Sequence, residues 1–169
     1  MFQSKEVSFV PVGRIIRTGG FKAVRAYYES LGEDFVKALD DMLLFDAVIF
    51  NVDRHYGNFG FLVDNTTNRI IAPAPLFDHG NSLLNFAGRD NLSSTDELKK
   101  YADTRKPCVY DDFVTEAASI LTHERRNSLR KLLNFRFKRH SRYNLDKKRL
   151  TMLEEIVRSR ASEILNASV

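Results

Sequence analysis

The hydrophobic positions of this 169-residue chain follow two kinds of pattern, and each predicts a different element. Apolar residues recur every three or four positions from Asp34 to Phe50, which predicts a helix. Its last stretch, MLLFDAVIF, is apolar on nearly all sides except at Asp46, as expected of a buried helix. FGFLVD (59–64) then alternates, and RIIAPAP (69–75) is a second short run ended by proline, so the two predict a β-hairpin.

The segment before this helix, residues 1–33, shows less regular patterning. Its first part has two short apolar runs broken by proline and glycine, which predicts an irregular or short extended stretch. A helix is predicted from Phe21 to Ser30, where Gly32 stops it.

The second half of the chain predicts a helical bundle. Residues 85–110 are rich in polar and turn-forming residues, which predicts a loop with one short helix near Thr95–Tyr101. Helical periodicity returns in residues 111–169, with helices expected at 111–122, 124–139 and 146–166. Together with the core segment 34–84, these elements predict a single domain, 1–169, that is mainly α with a small β-hairpin (α+β).

Composition narrows the class of protein. Apolar residues make up 43% and charged residues 28%, which is typical of a soluble globular protein. A single cysteine, Cys108, excludes an internal disulfide framework and a cysteine-rich zinc site, and we expect it to be a partly buried packing residue. No apolar run is long enough to cross a membrane, and the N-terminus lacks the pattern of a signal peptide, so the sequence predicts a cytoplasmic protein.

The net charge of +4 is unevenly distributed. Residues 125–149 contain eleven Lys or Arg residues and one acid, Asp146. One interpretation is a surface for nucleic acid or an acidic partner, because Lys and Arg gain counterion release on phosphates. The other, which we favour, is an amphipathic helix pair with solvated charges, since Leu129, Leu132 and Phe137 fall on one face.

The connection NVDRHYGN, between the buried helix and the hairpin, carries the candidate chemistry. Asp53 and Asn58 offer a carboxylate that can orient and deprotonate a hydroxyl and an amide oxygen that can bind Mg²⁺. Asp78 lies immediately past the hairpin, and a hairpin returns its two ends to the same place. Spacing and topology therefore predict that these three side chains come together.

Each of these features also has a structural interpretation. A lone D-x-x-x-x-N is common by chance, His55 by itself is typical of a hydrogen-bonded structural histidine, and Asp78-His79-Gly80 could be a turn in which Gly80 supplies a positive φ. The order of these features along the chain, taken together, favours a functional site over a turn that is only rich in polar side chains. A zinc site is disfavoured, because the four histidines lack metal-ligand spacing and no cysteine joins them.

The segment FDAVIFNVDRHYGNFGFLVD…IIAPAPLFDHGNSL, residues 45–84, resembles the catalytic core of the HipA-like serine/threonine kinases, toxin-type kinases of bacterial toxin–antitoxin systems. That family has an apolar helix ending in N-x-D-R-H-x-x-N, a short hairpin, and then a proline and an aspartate. The D-R-H-x-x-N order also occurs in phosphoinositide 3- and 4-kinases, followed there by D-F-G. The resemblance implies a protein-kinase-like C-terminal lobe that uses ATP and Mg²⁺.

The resemblance also implies residue roles. Asp53 would be the catalytic base or would orient the acceptor hydroxyl, and Asn58 and Asp78 would bind Mg²⁺ and with it the nucleotide. His55 is counted with Asp53 as a catalytic residue and Arg54 as a cofactor-binding residue, and both are expected to brace the catalytic loop or to contact phosphate. The positions expected to shape the two segments are Asn51, His79 and Gly80.

One feature departs from the kinase pattern. Residues 1–33 contain no G-x-G-x-x-G, and in RTGGFKAVR the lysine, Lys22, follows the glycines too closely to lie on a separate strand. The chain therefore resembles a C-terminal lobe alone, whether as a cloned piece of a larger protein, half of a split kinase or a remnant. We expect weak nucleotide binding and little turnover without a partner.

The expected partners are a protein substrate and a missing N-terminal lobe or an antitoxin-like protein. Two alternative functions stay open from the sequence. One is a lipid or small-molecule kinase with the same chemistry. The other is a non-catalytic regulatory or binding module that keeps the kinase scaffold.

Overall fold

A computed structural model describes residues 6–167. It is mainly helical with one small antiparallel sheet, which confirms the predicted α+β class. The strands are β1 (Val7–Pro11), β2 (Gly60–Asp64) and β3 (Ile70–Pro73). The helices are α1 (Val12–Ile15), α2 (Gly20–Leu31), α3 (Glu33–Ile49), α4 (Thr95–Asp103), α5 (Phe113–Ser119), α6 (His123–Leu132) and α7 (Lys147–Asn166).

The sheet has three strands in the order β1-β2-β3, one more than the predicted hairpin. The extra strand comes from the N-terminal segment, whose run VSFVP pairs antiparallel with β2, Val10 opposite Phe61. Gly60 permits this pairing, because a Cβ there would overlap the carbonyl oxygen of Val10. The chain leaving β1 also bonds to the connection after α3, through Gly13 N–H to the Tyr56 carbonyl at 3.0 Å.

Helix α3 is the central element and is buried on most sides, as its apolar pattern predicts. Acids in its first turn, Glu33 and Asp34, suit the positive end of the helix dipole. One side packs against α2 and the sheet, with Leu39, Leu43 and Phe61 all but excluded from solvent. The other side packs against α5, α6 and α7. The helix is therefore a rigid base for the loop that follows it.

The prediction that α6 continues to residue 139 is wrong, because the helix ends at Leu132. Beyond it, residues 135–139 lie along α7 and gather round the buried carboxylate of Glu154. Phe137 N–H donates to Glu154 at 3.1 Å, and Arg136 and Arg139 pair with the same carboxylate at 2.8 and 3.1 Å. These tertiary bonds outweigh the helical periodicity of the sequence.

The other predicted helices are present with modest changes of boundary. Helix α4 lies inside the polar loop, where the Ser94 hydroxyl accepts from Glu97 N–H and caps it. Asp112 and Asp146 cap α5 and α7 in the same way. Cys108 is exposed, which corrects the expectation that it is partly buried. Among residues 6–167 no helix is both long and apolar enough to span a membrane.

Candidate functional site

The candidate site begins where α3 ends. Phe50 closes the helix in the left-handed conformation (φ 56°), and its N–H bonds to the carbonyl of Asp46. The Phe50 ring is buried beneath the guanidinium of Arg160, which lies 4.0 Å from the ring centroid. This contact anchors the start of the loop to α7 and directs the chain out of the helix at a fixed angle.

A fully buried ion pair holds the loop together. Arg54 Nε and Nη2 donate to the two carboxylate oxygens of Asp46 at 2.8 and 3.0 Å, and neither side chain is exposed. Asn51 Nδ2 donates to the same carboxylate at 2.9 Å. Charges taken out of water are tolerated when they are paired and fully hydrogen-bonded, and this bidentate arrangement meets both conditions.

The remaining donors of Arg54 join two separate segments. Its Nη1 donates to the carbonyl of Asn58 at 3.0 Å and to that of Phe77, just before Asp78, at 2.7 Å. Its Nη2 lies 3.0 Å from Nδ1 of His79, which must be the acceptor because a guanidinium only donates. A single buried side chain thus brings the Asn58 and Asp78 segments together.

The sequence leaves two roles open for Arg54, bracing the loop or contacting phosphate. All of its contacts are those of the bracing role, and its side chain has no exposed surface with which to meet a cofactor. The expectation that Arg54 binds the cofactor therefore gives way to the structural alternative.

The carboxylate of Asp53 is half-buried and is oriented by a residue beyond the hairpin. Asn81 Nδ2 donates to Asp53 Oδ2 at 2.8 Å. Asn85 in turn donates to Asn81 Oδ1 at 3.4 Å and to the Gly80 carbonyl at 2.9 Å. No described residue donates to Asp53 Oδ1. One carboxylate oxygen is fixed, and the other is left for a ligand.

Asn58 is 6% exposed, and its amide is oriented by the loop itself. Its Nδ2 donates to the backbone carbonyl of Asp53 at 3.0 Å. Within the described residues no donor reaches its Oδ1. The amide oxygen therefore points away from the bond that fixes the group and can accept a ligand.

Asp78 lies in the left-handed conformation, with a φ of 57°. The suggestion that Gly80 supplies a positive φ in this tripeptide is wrong, since Asp78 itself has that conformation. The Asp78 side chain is exposed and forms no hydrogen bond or ion pair to residues 6–167. Its carboxylate is therefore accessible to a ligand.

His55 and His79 have different surroundings. His55 is exposed, and its Nδ1 accepts a hydrogen bond from Gly57 N–H at 3.0 Å, which closes the tight turn. His79 accepts from Arg54 and packs edge-on against Phe45 with ring centroids 5.2 Å apart. Both imidazoles thus support the backbone that carries the carboxylates.

Tyr110 extends the buried part of the site. Burial, and after it the negative charge of Asp46, raises the pKa of the Tyr110 phenol far above its usual range. Its hydroxyl is buried and has no hydrogen-bond partner among the described residues. The phenol is therefore neutral, and its ring packs against Phe21 and Phe113.

Sequence reasoning missed the residues that hold Arg54 and Asp53 in place, Asp46 and Asn81. The sequence did contain an indication of Asp46, because a lone acid in an otherwise apolar helix needs a buried partner. Arg54, in the loop 8 positions later, is that partner. Asn81 had no such indication, because its bond to Asp53 spans 28 positions and depends on the path of the chain beyond the hairpin.

The donor set suits a hard divalent cation such as Mg²⁺. Asn58 Oδ1 and the Asp78 carboxylate are oxygen donors without protein partners in the described part of the chain, and they belong to segments joined by Arg54. Residues 6–167 contain no cluster of three or more His, Cys, Asp or Glu side chains that could form an all-protein metal site. Mg²⁺ commonly uses only one or two protein ligands and completes its shell with phosphate and water.

Comparison with known proteins gives one informative match. No protein-family model matches the sequence, and no curated protein matches it. The structure is similar to the crystal structure of a Helicobacter pylori proinflammatory kinase, CtkA, with a TM-score of 0.60 and 22% sequence identity. The similarity covers 95% of this chain and 70% of that kinase. The chain therefore has a kinase-like fold.

Proposed function

We propose that this chain carries the phosphoryl-transfer site of a HipA-like protein serine/threonine kinase. The main support is the buried guanidinium of Arg54, which bonds the carbonyls of Asn58 and Phe77 and so unites the two segments that hold the candidate ligands. The kinase-like fold is a second and independent support. The resemblance of residues 45–84 to HipA-like kinases supplies the acceptor class, a serine or threonine hydroxyl of a protein.

Asp53 acts on the acceptor in this proposal. Asn81 fixes its Oδ2, so Oδ1 accepts the hydrogen bond of the incoming hydroxyl and then its proton. The hydroxyl oxygen bonds to the terminal phosphorus of ATP as the bond from phosphorus to the bridging oxygen breaks and ADP leaves. Little covalent work falls to the protein in such a reaction, because positioning and charge stabilisation supply most of the catalysis.

Asn58 and Asp78 hold the metal in this proposal. Asn58 Oδ1 offers a neutral oxygen and Asp78 a charged one, which is the usual mixture for Mg²⁺ beside a nucleotide. When bound, Mg²⁺ offsets the negative charge of the phosphates. Arg54 holds the two segments side by side through the carbonyls of Asn58 and Phe77, which supports a shared site for the two ligands.

Turnover by this chain alone should be weak. In kinases a glycine-rich loop and a lysine from a separate lobe hold the phosphates, and we find no counterpart of either in the described residues. We propose that an additional lobe, supplied by more chain or by a partner protein, completes nucleotide binding. Adding it in trans should raise the rate of transfer.

The test is calorimetric titration of ATP with and without Mg²⁺, combined with transfer of labelled phosphate. Asp78→Asn should abolish the Mg²⁺ dependence of binding, whereas Asp53→Asn should preserve binding and lower the transfer rate by about 10²–10⁴-fold. Asp64→Asn, a carboxylate on the far side of the hairpin, is the matched control. Nucleotide binding without transfer, even with an added lobe, would favour the non-catalytic module. If no nucleotide binds, either to the chain alone or with the added lobe, the proposal is overturned.

A further inference from the structure

A large groove lies between α3 and α6, outside the candidate site. Its volume is about 1060 Å³, which is enough for several side chains of a bound peptide. The floor is apolar and includes Leu44, Val48, Leu129, Leu132 and Phe135. Val48 and Leu129 are themselves buried, so the apolar surface that the groove offers to a ligand comes from the half-buried Leu44, Leu132 and Phe135.

One end of the groove adjoins the candidate site. Phe45 lines the groove, is 41% exposed, and packs against His79 next to Asp78. Leu83 also lines the groove, and it lies two positions beyond Asn81, the residue that orients Asp53. A chain bound along the groove would therefore end beside residues 78–81, the segment whose Asn81 orients the carboxylate proposed as the base.

The opposite end is acidic. Glu29, Glu33, Asp34 and Glu124 line it, all four are exposed, and none forms an ion pair within residues 6–167. The inner acids of this end are already neutralised by cations: Asp40 pairs with Arg25 and Arg125, and Asp41 with Lys37 and Arg125. The four outer acids give this end a net negative charge, which the dipole of α3 and the nearby ammonium of Lys37 offset only in part.

We propose that this groove binds a segment of the protein substrate in which apolar residues are followed by Lys or Arg. The inference rests on the proposed kinase function and adds the docking preference of the substrate. The apolar side chains occupy the floor nearest the acceptor hydroxyl, and the cations meet the outer acids. From Asp34 to Ile49 the helix α3 extends about 22 Å, so an extended segment needs about seven residues between the two ends.

The charge of the groove argues against other ligands. A nucleic acid or an anionic membrane would be repelled by the acidic end. A second copy of this chain could contribute its own basic residues, and measurement of the oligomeric state distinguishes that case.

The probes are three labelled synthetic peptides of about eight residues, extended by one acceptor serine. The first carries Leu and Phe next to the serine and Arg at the far end. The second replaces Arg with Glu, and the third replaces Leu and Phe with Gly and Ser. Binding is followed by fluorescence anisotropy without nucleotide. The first peptide should bind at least about tenfold more tightly than either control, and more weakly as salt is raised.

Variants of the groove test the location. Glu33→Gln with Asp34→Asn should weaken the first peptide about fivefold. Asp96→Asn with Glu97→Gln, the same change in the first turn of α4, should leave binding unchanged. Phe45→Ser should weaken binding about tenfold, and Ile71→Ser, on an exposed apolar residue of β3, is its control. Urea unfolding of each variant verifies that the fold is retained.

The outcomes separate docking from catalysis. Asp53→Asn should bind the peptide as the unaltered chain does. Docking by the unaltered chain without transfer, even when the additional lobe is supplied, would reject the kinase proposal alone. Transfer to all three peptides at equal rates, or equal binding of all three, would overturn the docking proposal. So would a dimer in sedimentation experiments that the groove variants dissociate, because the groove would then belong to a second copy.

Discussion

Two carboxylates on helices, Asp46 and Glu154, each hold an arginine-bearing segment, but in different surroundings. Asp46 on α3 binds Arg54, and neither side chain has any exposed surface. Glu154 on α7 is 2% exposed and binds Arg136 and Arg139, which are 68% and 45% exposed. The Asp46–Arg54 pair lies at the centre of the candidate site. The Glu154 group holds residues 135–139, which are far from the site along the chain.

The difference lies in what remains when a partner is lost. If Glu154 is lost, Arg136 and Arg139 can turn to water, and the repulsion between their like charges is screened by salt. Arg54 has no solvent to turn to, and its loss of Asp46 would leave a buried charge. The site thus depends on the arrangement that loses more stability when a partner is removed. This buried pairing keeps the geometry of the site fixed.

The largest expected effect is that of Asp46→Asn. The substitution removes the charge that pairs with Arg54 and should lower the free energy of unfolding by about 3–5 kcal/mol. Urea unfolding followed by circular dichroism measures it. A loss similar to that of an exposed acid would mean that water reaches Arg54 and that the two networks do not differ.

A double variant sharpens this prediction. Asp46→Leu with Arg54→Met removes the unpaired buried charge and should recover part of the stability that Asp46→Asn loses. The recovery is partial because Asn51 and the carbonyls of Asn58 and Phe77 lose their partners. Nucleotide binding should stay lost, because the carbonyls of Asn58 and Phe77 no longer share a donor. Recovery of both properties would show that the ion pair stabilises the fold without positioning the ligands.

The second prediction concerns Asn81, which aims Asp53 and carries no charge. Asn81→Ala should lower the transfer rate about tenfold, as expected for a lost orienting hydrogen bond, while nucleotide affinity changes little. Asn85→Ala, one bond further from the base, should have a smaller effect. An unchanged rate in Asn81→Ala, measured as the first turnover of labelled ATP, would remove Asn81 from the positioning of the base.

The same two regions show how far the sequence could predict this molecule. Near Asp46 the local patterns were strong, since a buried helix, a polar turn and a hairpin leave little choice of topology. The segments that carry Asn58 and Asp78 therefore lie side by side, as their order along the chain predicts, although the burial of Arg54 was not foreseen. Near Glu154 the leucines at helical spacing predicted a helix to residue 139, and the structure ends it at Leu132.

The helix boundary was predicted wrongly because the interactions that set it join residues far apart in the sequence. Periodicity reports local burial, whereas Glu154 lies 15 to 18 positions from the groups that it binds. Nothing in residues 133–139 alone shows that a buried carboxylate needs their donors. The strand β1 was not predicted for the same reason, because its partner β2 follows α3 in the sequence, about 50 positions later.

The third prediction tests the segment held by Glu154. Glu154→Gln should speed amide hydrogen exchange at Phe137, whose N–H loses a charged acceptor, by about tenfold. Exchange in residues 51–58 should not change, because that loop is held by Asp46. Mass spectrometry of peptides from both regions measures the contrast. Faster exchange in both would show that the two networks are coupled.

The smallest effect expected is on pH dependence. The hydrogen bond from Arg136, then the Phe137 N–H and the charges of Arg139 and Arg136, outweigh burial and lower the pKa of Glu154 from its ordinary value of 4.5. A carboxyl whose pKa is lower in the folded state stabilises the fold above the unfolded pKa, and the contribution is lost as pH falls through the folded value. The stability difference between the unaltered chain and Glu154→Gln should therefore be constant above about pH 5.5 and shrink below pH 4.5. Glu155→Gln, which removes the same charge one position along α7 at the half-exposed pair with Lys99, is the matched control. A difference that persists unchanged into acid would mean that Glu154 acts through packing and not through its charge, and the contrast with Asp46 would then rest on burial alone.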